Sequence, residues 1–411
     1  MYPLRGYLDS SDFSVLSDPR RGRIEFAPIL QQLRQWVAEE KITCLFSGTH
    51  LSEMAPTDAG FADAAQRRAD LLVELCGRNT LISQDRLFAG ELRFALHLAE
   101  HPPAVHSSIG EWYPDAFADV LPVGPFDIST ANIKDVINNS GMSRKIRRTA
   151  GRKAFKHGRP KAQLHAAVIE TARNDSLDDL LQKYPMRPQD ARVLSRYFVG
   201  DASAADASAA FQESLRDPRW MMQWFGIHHE QLSPFIEWTR RPAGLLLMSI
   251  DEMATHAAYV RKLDAELDTS LTDTLYSSSK WIQLQERMLL GIATRLVKNF
   301  PDQESRMPTP ALIDNGCPGL SVGIKSLYTA WWTATGPMPR RAKLSDFPDA
   351  LHAMYAPYVD VFRADSFMAP FIDRYARKFG TRVVPKLSAL IPTIQAALQA
   401  STNGAESLTI S

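Results

Sequence analysis

Residues 345–368, SDFPDALHAMYAPYVDVFRADSFM, carry the reading that decides the fold. Ser345 and Asp346 are helix-capping types, Pro348 suits a first helical turn, and Asp349 favours the positive end of that helix. The run YVDVF, residues 358–362, has strand character, and Arg363-Ala364-Asp365 is its exit. A helix is expected over residues 367–378, ended by Gly380. A short strand at 382–384 and a last helix over 387–398 follow. Residues 401–411 are small and polar, and are expected to be a disordered tail.

The other end of the chain has the same grammar. Residues 5–8 read as a short strand that runs into Asp9-Ser10-Ser11-Asp12, a strand-to-loop exit. Residues 27–39, APILQQLRQWVAE, have apolar residues at helical spacing. Residues 42–46, ITCLF, form a second apolar strand. Ser47-Gly48-Thr49-His50 leads from it to a helix start near Ser52 and Glu53. Strand, helix, strand, helix is the opening of a parallel α/β sheet.

Between the two ends the pattern is helical. Residues 61–76, 242–267 and 279–299 each read as helices, the second starting at Pro242. Two separate α/β pieces would each have little core. The expected arrangement is therefore one α/β domain built from both chain ends, residues 1–60 and 341–400, interrupted by a large, mostly helical insertion over 61–340. The chain has 411 residues and a net charge of +1, so its overall charge points to no particular partner. Its 3 cysteines form no zinc pattern and suit a reducing compartment. The N-terminus has no apolar signal run and no stretch is long enough to span a membrane, so a cytoplasmic protein with no membrane partner is expected. No phosphate-binding loop of the Walker type and no nucleophile elbow occurs.

Ligand sites of parallel sheets form beyond the carboxyl ends of the strands, where strand order reverses. Asp9 and Asp365 follow strands, Glu53 lies just after the second strand, and Asp349 opens a helix nearby. Four converging carboxylates repel one another unless cations lie between them, and Mg²⁺ or Mn²⁺ suits oxygen ligands. Ser10, Ser11 and Ser47 read either as turn residues or as hydrogen-bond partners of a carboxylate or phosphate. His352, one turn beyond Asp349, reads as packing or as a supporting hydrogen bond.

These phrases resemble the PIN-like nuclease family. YLDSSDFSVLS is similar to the family's opening, with Asp9 in the place of the first acid. FSGTHLSEMA is similar to the segment of the second acid, here Glu53. SDFPDALHAMYAPYVDVFRADSFM is similar to the last part, with Asp349 and Asp365 as third and fourth acids. Asp12 and Asp360 are extra acids beside these motifs, either able to replace or join a main ligand. The resemblance covers about a quarter of the chain, and compact family members lack the long middle. It implies a Mg²⁺- or Mn²⁺-dependent endonuclease cutting RNA or, less often, single-stranded DNA. It also implies a toxin or defence role, with an inhibitor protein or defence-system partner.

Residues 143–161, SRKIRRTAGRKAFKHGRPK, hold nine Lys or Arg and no acid. Arg144, Lys145, Arg147, Arg148, Arg152, Lys153, Lys156, Arg159 and Lys161 suit a phosphate backbone, or simply a solvated basic loop. The alternative to an enzyme is a non-catalytic nucleic-acid-binding or scaffold protein on a degenerate PIN-like fold, whose acids only cap helices.

Overall fold

The structure is a computed structural model describing residues 3–19, 25–56, 58–114, 149, 155–156, 159–160, 185–198, 202–300 and 307–409. Four strands form one parallel sheet: β1 (Leu4–Tyr7), β2 (Ile42–Leu45), β3 (Val361–Arg363) and β4 (Arg382–Val384), in the order β2-β1-β3-β4. Tyr7 stands opposite Leu45 on one side and Phe362 on the other. The N-terminal strands thus occupy one half of the sheet and the C-terminal strands the other, as the α/β reading expects. Strand order reverses between β1 and β3, which makes a crevice at their carboxyl ends.

Alternation along the strands divides their side chains between two faces, both covered, as parallel sheets require. Leu4, Ile42, Cys44 and Val361 meet Leu33 of α2 (Ala27–Ala38) and Leu390 and Ile394 of α9 (Leu390–Thr409). Tyr7, Leu45 and Phe362 enter the main core on the other face, with Val322, Met354, Tyr355, Met368 and Ile372. The Tyr7 and Phe362 rings stack with centroids 5.1 Å apart and planes 6° from parallel. Such a pair adds about 1 kcal/mol beyond the area it buries.

The remaining helices of this body are α1 (Ser10–Ser17), α3 (Gly48–Met54), α4 (Ala62–Cys76), α5 (Gln84–Ala95), α6 (Pro318–Trp332), α7 (Asp346–Ala353) and α8 (Ala369–Ala376). Two glycines seat α6 against the end of α7. A Cβ at Gly319 would stand 2.8 Å from the Met354 carbonyl oxygen, and one at Gly323 would enter the Met354 side chain. Any larger residue would push away the helix that carries Asp349 and His352.

The chain divides at other points than 61 and 340. Met1–Pro114 with Phe225–Ser411 forms one compact unit, and Asp115–Trp224 the other. Helix α4 packs on α1 and β2, and residues of α5, α6 and Ser278–Val297 share an apolar cluster, so much of the expected insertion belongs with the sheet. In the second unit the helices Pro188–Phe198 and Ala204–Leu215 pack together, the latter capped by Ser203. Arg187 and Ser214 both bond the Asp190 carboxylate at 2.6 Å there.

Several element boundaries also differ from the reading above. Asp9 caps a helix instead of ending in a loop. The strand expected at 358–362 begins only at Val361, because Ala356–Tyr358 makes a 3-10 turn. The helix expected to begin at Pro242 spans His229–Leu267, with the proline inside it. The expected tail from Ser401 continues α9 to Thr409. Among the described residues, no helix is long and apolar enough to cross a membrane.

Candidate metal centre

Asp9 and Asp365 do the same local work at adjacent strand ends. Asp9 is the N-cap of α1; its Oδ1 accepts from the Ser11 N–H at 2.8 Å, while Asp12 Oδ2 accepts from the Asp9 N–H at 3.0 Å. This is a reciprocal capping box. Asp365 Oδ1 accepts from the Met368 N–H at 2.5 Å, closing the turn into α8. Each acid is therefore held rigidly at the crevice between β1 and β3 by the backbone that follows it.

Asp349, in the first turn of α7, faces the same place. Burial pushes its carboxyl up to about 8, the carboxylates of Asp365, Asp9 and Glu53 adding to the rise and His352 opposing it. No side-chain hydrogen bond reaches the Asp349 carboxylate among the described residues.

Glu53 lies in the last turn of α3, not at a helix start as the sequence suggested. A carboxylate there faces the negative end of the helix dipole. His352 supplies the compensation, its Nε2 lying 2.7 Å from Glu53 Oε2 and 3.2 Å from Ser10 Oγ. Burial raises the Glu53 carboxyl, yet the His352 charge and hydrogen bond, with Ser10 and His50, bring it down to about 2. Burial lowers His352, yet Glu53, Asp9 and Asp349 together hold it above the ordinary histidine value. Both shifts favour the charged forms of this buried pair, an ionised Glu53 beside a protonated His352.

Its Nδ1 meets the Tyr7 hydroxyl at 2.6 Å, and that hydroxyl meets Ser47 Oγ at 2.7 Å. Tyr7 is fully buried in the sheet and burial keeps it a phenol. Beside it, His50 is a neutral imidazole of fixed tautomer. Ser47 N–H donates to its Nδ1 at 3.1 Å, so Nε2 carries the proton, donated to the Leu8 carbonyl at 2.8 Å. Burial pushes His50 down to about 3, the neighbouring His352 adding to the fall. Tyr7 and His50 escaped the sequence reading because a strand tyrosine and a helix histidine carry no local sign of such partners. The pair Ser47 and His50, three apart at a helix start, was the one available hint.

Two further ion pairs flank the crevice. Arg363, buried at the end of β3, reaches Asp12 Oδ1 at 3.2 Å. Burial lifts Asp12 to about 7, with Arg363 pulling against it and Asp9 adding to it. Arg340 binds Asp346 with both terminal nitrogens, at 2.8 and 2.9 Å. Matching cations to acids gives a simple result. Glu53 is answered by His352, Asp12 by Arg363 and Asp346 by Arg340. Among the described residues, Asp9, Asp349 and Asp365 have no ion-pair partner.

Asp360 does not join them. It precedes β3 at the amino edge of the sheet, where Oδ2 accepts from the Arg5 N–H at 2.7 Å. The other edge is where the cluster sits, so as a ligand Asp360 is excluded by the length of its own strand. Of the basic segment, Arg144, Lys145, Arg147, Arg148, Arg152, Lys153 and Lys161 lie outside the described residues. Lys156 and Arg159 fall in a small antiparallel pair, Phe155–Lys156 with Arg159–Pro160, in the second unit.

The donor set is all oxygen and without an ion-pair partner among the described residues, which suits a hard dication. Among the described residues, no three His, Cys, Asp or Glu side chains stand close enough to enclose one metal ion. Mg²⁺ needs no such cage, since it keeps several waters and binds through one or two carboxylates. No protein-family model, no curated protein and no solved structure matches the chain.

Proposed function

We propose that this chain is a PIN-like, Mg²⁺- or Mn²⁺-dependent endonuclease that hydrolyses phosphodiester bonds in RNA or single-stranded DNA. One observation supports the reading: Asp9 and Asp365 lie at adjacent strand ends by the switch point of a parallel sheet, both act on the charge of Asp349, and the neighbouring acids Glu53, Asp12 and Asp346 each have a cationic partner. When bound, the ion stabilises negative charge on phosphate oxygens and lowers the pKa of water. Asp9 and Asp365 would hold it from rigid strand ends. Asp349 would give up its proton on binding, so affinity would rise with pH up to about 8. Glu53, held by His352, would offer a carboxylate oxygen beside the ion without adding uncompensated charge. The Tyr7–His352–Glu53 chain would fix that carboxylate in place.

The test is Mn²⁺-dependent cleavage of single-stranded RNA by the purified chain. Asp9→Asn and Asp365→Asn should each lower the rate by about a hundred-fold or more, the order of a lost electrostatic group in an active site. Full activity in both variants sinks the mechanism.

A further inference from the structure

The loop over residues 338–344, MPRRAKL, lies between α6 and α7, directly before the helix that carries Asp349. It is built, not loose. The Asp346 carboxylate, 1% exposed, accepts both Arg340 bonds and also the Lys343 N–H at 2.9 Å. The Arg340 guanidinium lies 3.4 Å from the centre of the Phe367 ring, two residues beyond Asp365. It is therefore clamped at a fixed place beside the acids, and the charges of Asp365 and Asp349 act on it as well as that of Asp346. Two of the five guanidinium donors are spent on Asp346, and the rest remain for another acceptor.

An arginine fixed by a buried carboxylate and an aromatic ring is pre-organised to receive a planar or tetrahedral oxyanion. Its neighbours extend the same chemistry. Arg341 is exposed, with a long pair to Asp251 at 3.6 Å, and Lys343 is exposed with no ion pair among the described residues. Met338 and Leu344, 91% and 51% exposed, add apolar surface on which bases can rest. Positive charge on this loop also offsets the repulsion that a cluster of aspartates exerts on any polyanion.

We propose that this loop is the surface that grips a single-stranded nucleic acid beside the acid cluster, with Arg340 on a phosphate next to the one cut and Arg341 and Lys343 on its neighbours. The assignment rests on the nuclease reading, and it moves the strand contact from residues 143–161 to residues 340–343.

The experiment uses the full chain carrying Asp9→Asn and a labelled single-stranded RNA, with anisotropy measured over a range of salt. Arg341→Glu with Lys343→Glu should weaken binding about ten-fold or more, and should flatten the salt dependence by about 1.4 log units per log unit, as two lost phosphate contacts require. Arg340→Lys, which keeps the charge on Asp346 but loses the fork, should weaken binding with the fold intact by circular dichroism. Unchanged affinity and salt slope in the double variant overturn the proposal, and so does a wild-type chain that binds no RNA. Loss of binding from Arg147→Glu with Arg148→Glu alone, the loop variant binding normally, overturns it too. Cleavage by the wild-type chain is read separately. Binding that depends on the loop, without any cleavage in Mn²⁺, removes the nuclease reading and leaves the loop assignment standing.

Discussion

Glu91 and Asp349 are both carboxyls pushed towards neutrality, and their surroundings could hardly differ more. Glu91, buried in α5, accepts from the Gly319 and Leu320 N–H groups at 2.6 and 3.1 Å and from the Tyr358 hydroxyl. Burial lifts it to about 7 while all three donors pull it down. Its bonds satisfy the free N–H groups at the start of α6, a need every helix has. Asp349 is lifted to about 8 by burial and by other acids, and no donor reaches its side chain among the described residues. The size of the shift does not separate a carboxyl held by backbone donors from one that faces other acids. The supply of donors does.

The sharpest way to break this contrast is to remove Glu91. Glu91→Ala strands two backbone N–H groups and a phenol in the core, and should lower unfolding stability by about 3 kcal/mol in urea titrations. Glu91→Gln keeps an acceptor and should lose less. A change near zero in the alanine variant would mean that Glu91 is not the joint described.

A smaller effect separates the two by pH. The folded value of Asp349, about 8, lies above its ordinary 3.8, so its contribution is complete below about 3.8 and is lost as pH rises through 8. Glu91 and Asp12, both near 7, act in the same direction. Metal-free protein should therefore lose stability between about pH 4 and pH 8. Asp349→Asn should remove about 2 kcal/mol of that fall, with allowance for solvent screening of a half-buried group. Equal slopes in the two proteins would show that neither burial nor the other acids raise Asp349 in the folded chain.

The smallest effect lies at the opposite edge of the sheet. Asp360 is exposed and, among the described residues, its carboxylate accepts only the Arg5 N–H, so Asp360→Ala should cost about 0.5 kcal/mol. Its thermal shift with Mn²⁺ should match the wild type. A lost Mn²⁺ response would place Asp360 back among the ligands and contradict the sheet register.

What could be read from the sequence follows from how local each signal is. Asp9 and Asp365 were legible because a short apolar run followed by an acid has few other meanings than a strand end. The four-stranded parallel sheet was legible for the same reason. The helix after Asp9 was missed because Asp-Ser-Ser-Asp serves a turn and a capping box equally well. Asp360 was misplaced by a strand drawn three residues too long, which brought an acid from the amino edge into the middle of the run. Glu53 was set at the wrong end of its helix. His352 was read as packing or a supporting hydrogen bond, and it makes such a bond to Glu53; the roles of Tyr7 and Arg363 were not legible at all. Each depends on a partner supplied by the opposite end of the chain, and no window of sequence contains both. Arg340 was passed over since one arginine in a Pro-rich loop has no meaning until Asp346 and Phe367 are seen to hold it.

The pairing of β1 with β3 has a consequence in time as well as in space. Arg5 and Asp360, which join across it, are 355 residues apart in the chain. Contacts of such separation make folding slow, and a domain whose centre strand waits for its neighbour cannot close early. On a ribosome adding about 5–20 residues each second, β1 and β2 would emerge long before β3 exists. Until then the acid of the first strand has no counterpart, the β3 edge of β1 is open, and Tyr7 has no Phe362 to lie on. A nascent or prematurely terminated chain would therefore carry Asp9 and Glu53 without Asp349 and Asp365. The acid cluster comes into being only once β3 and the turn after it have been made, a delay written into the order of the strands.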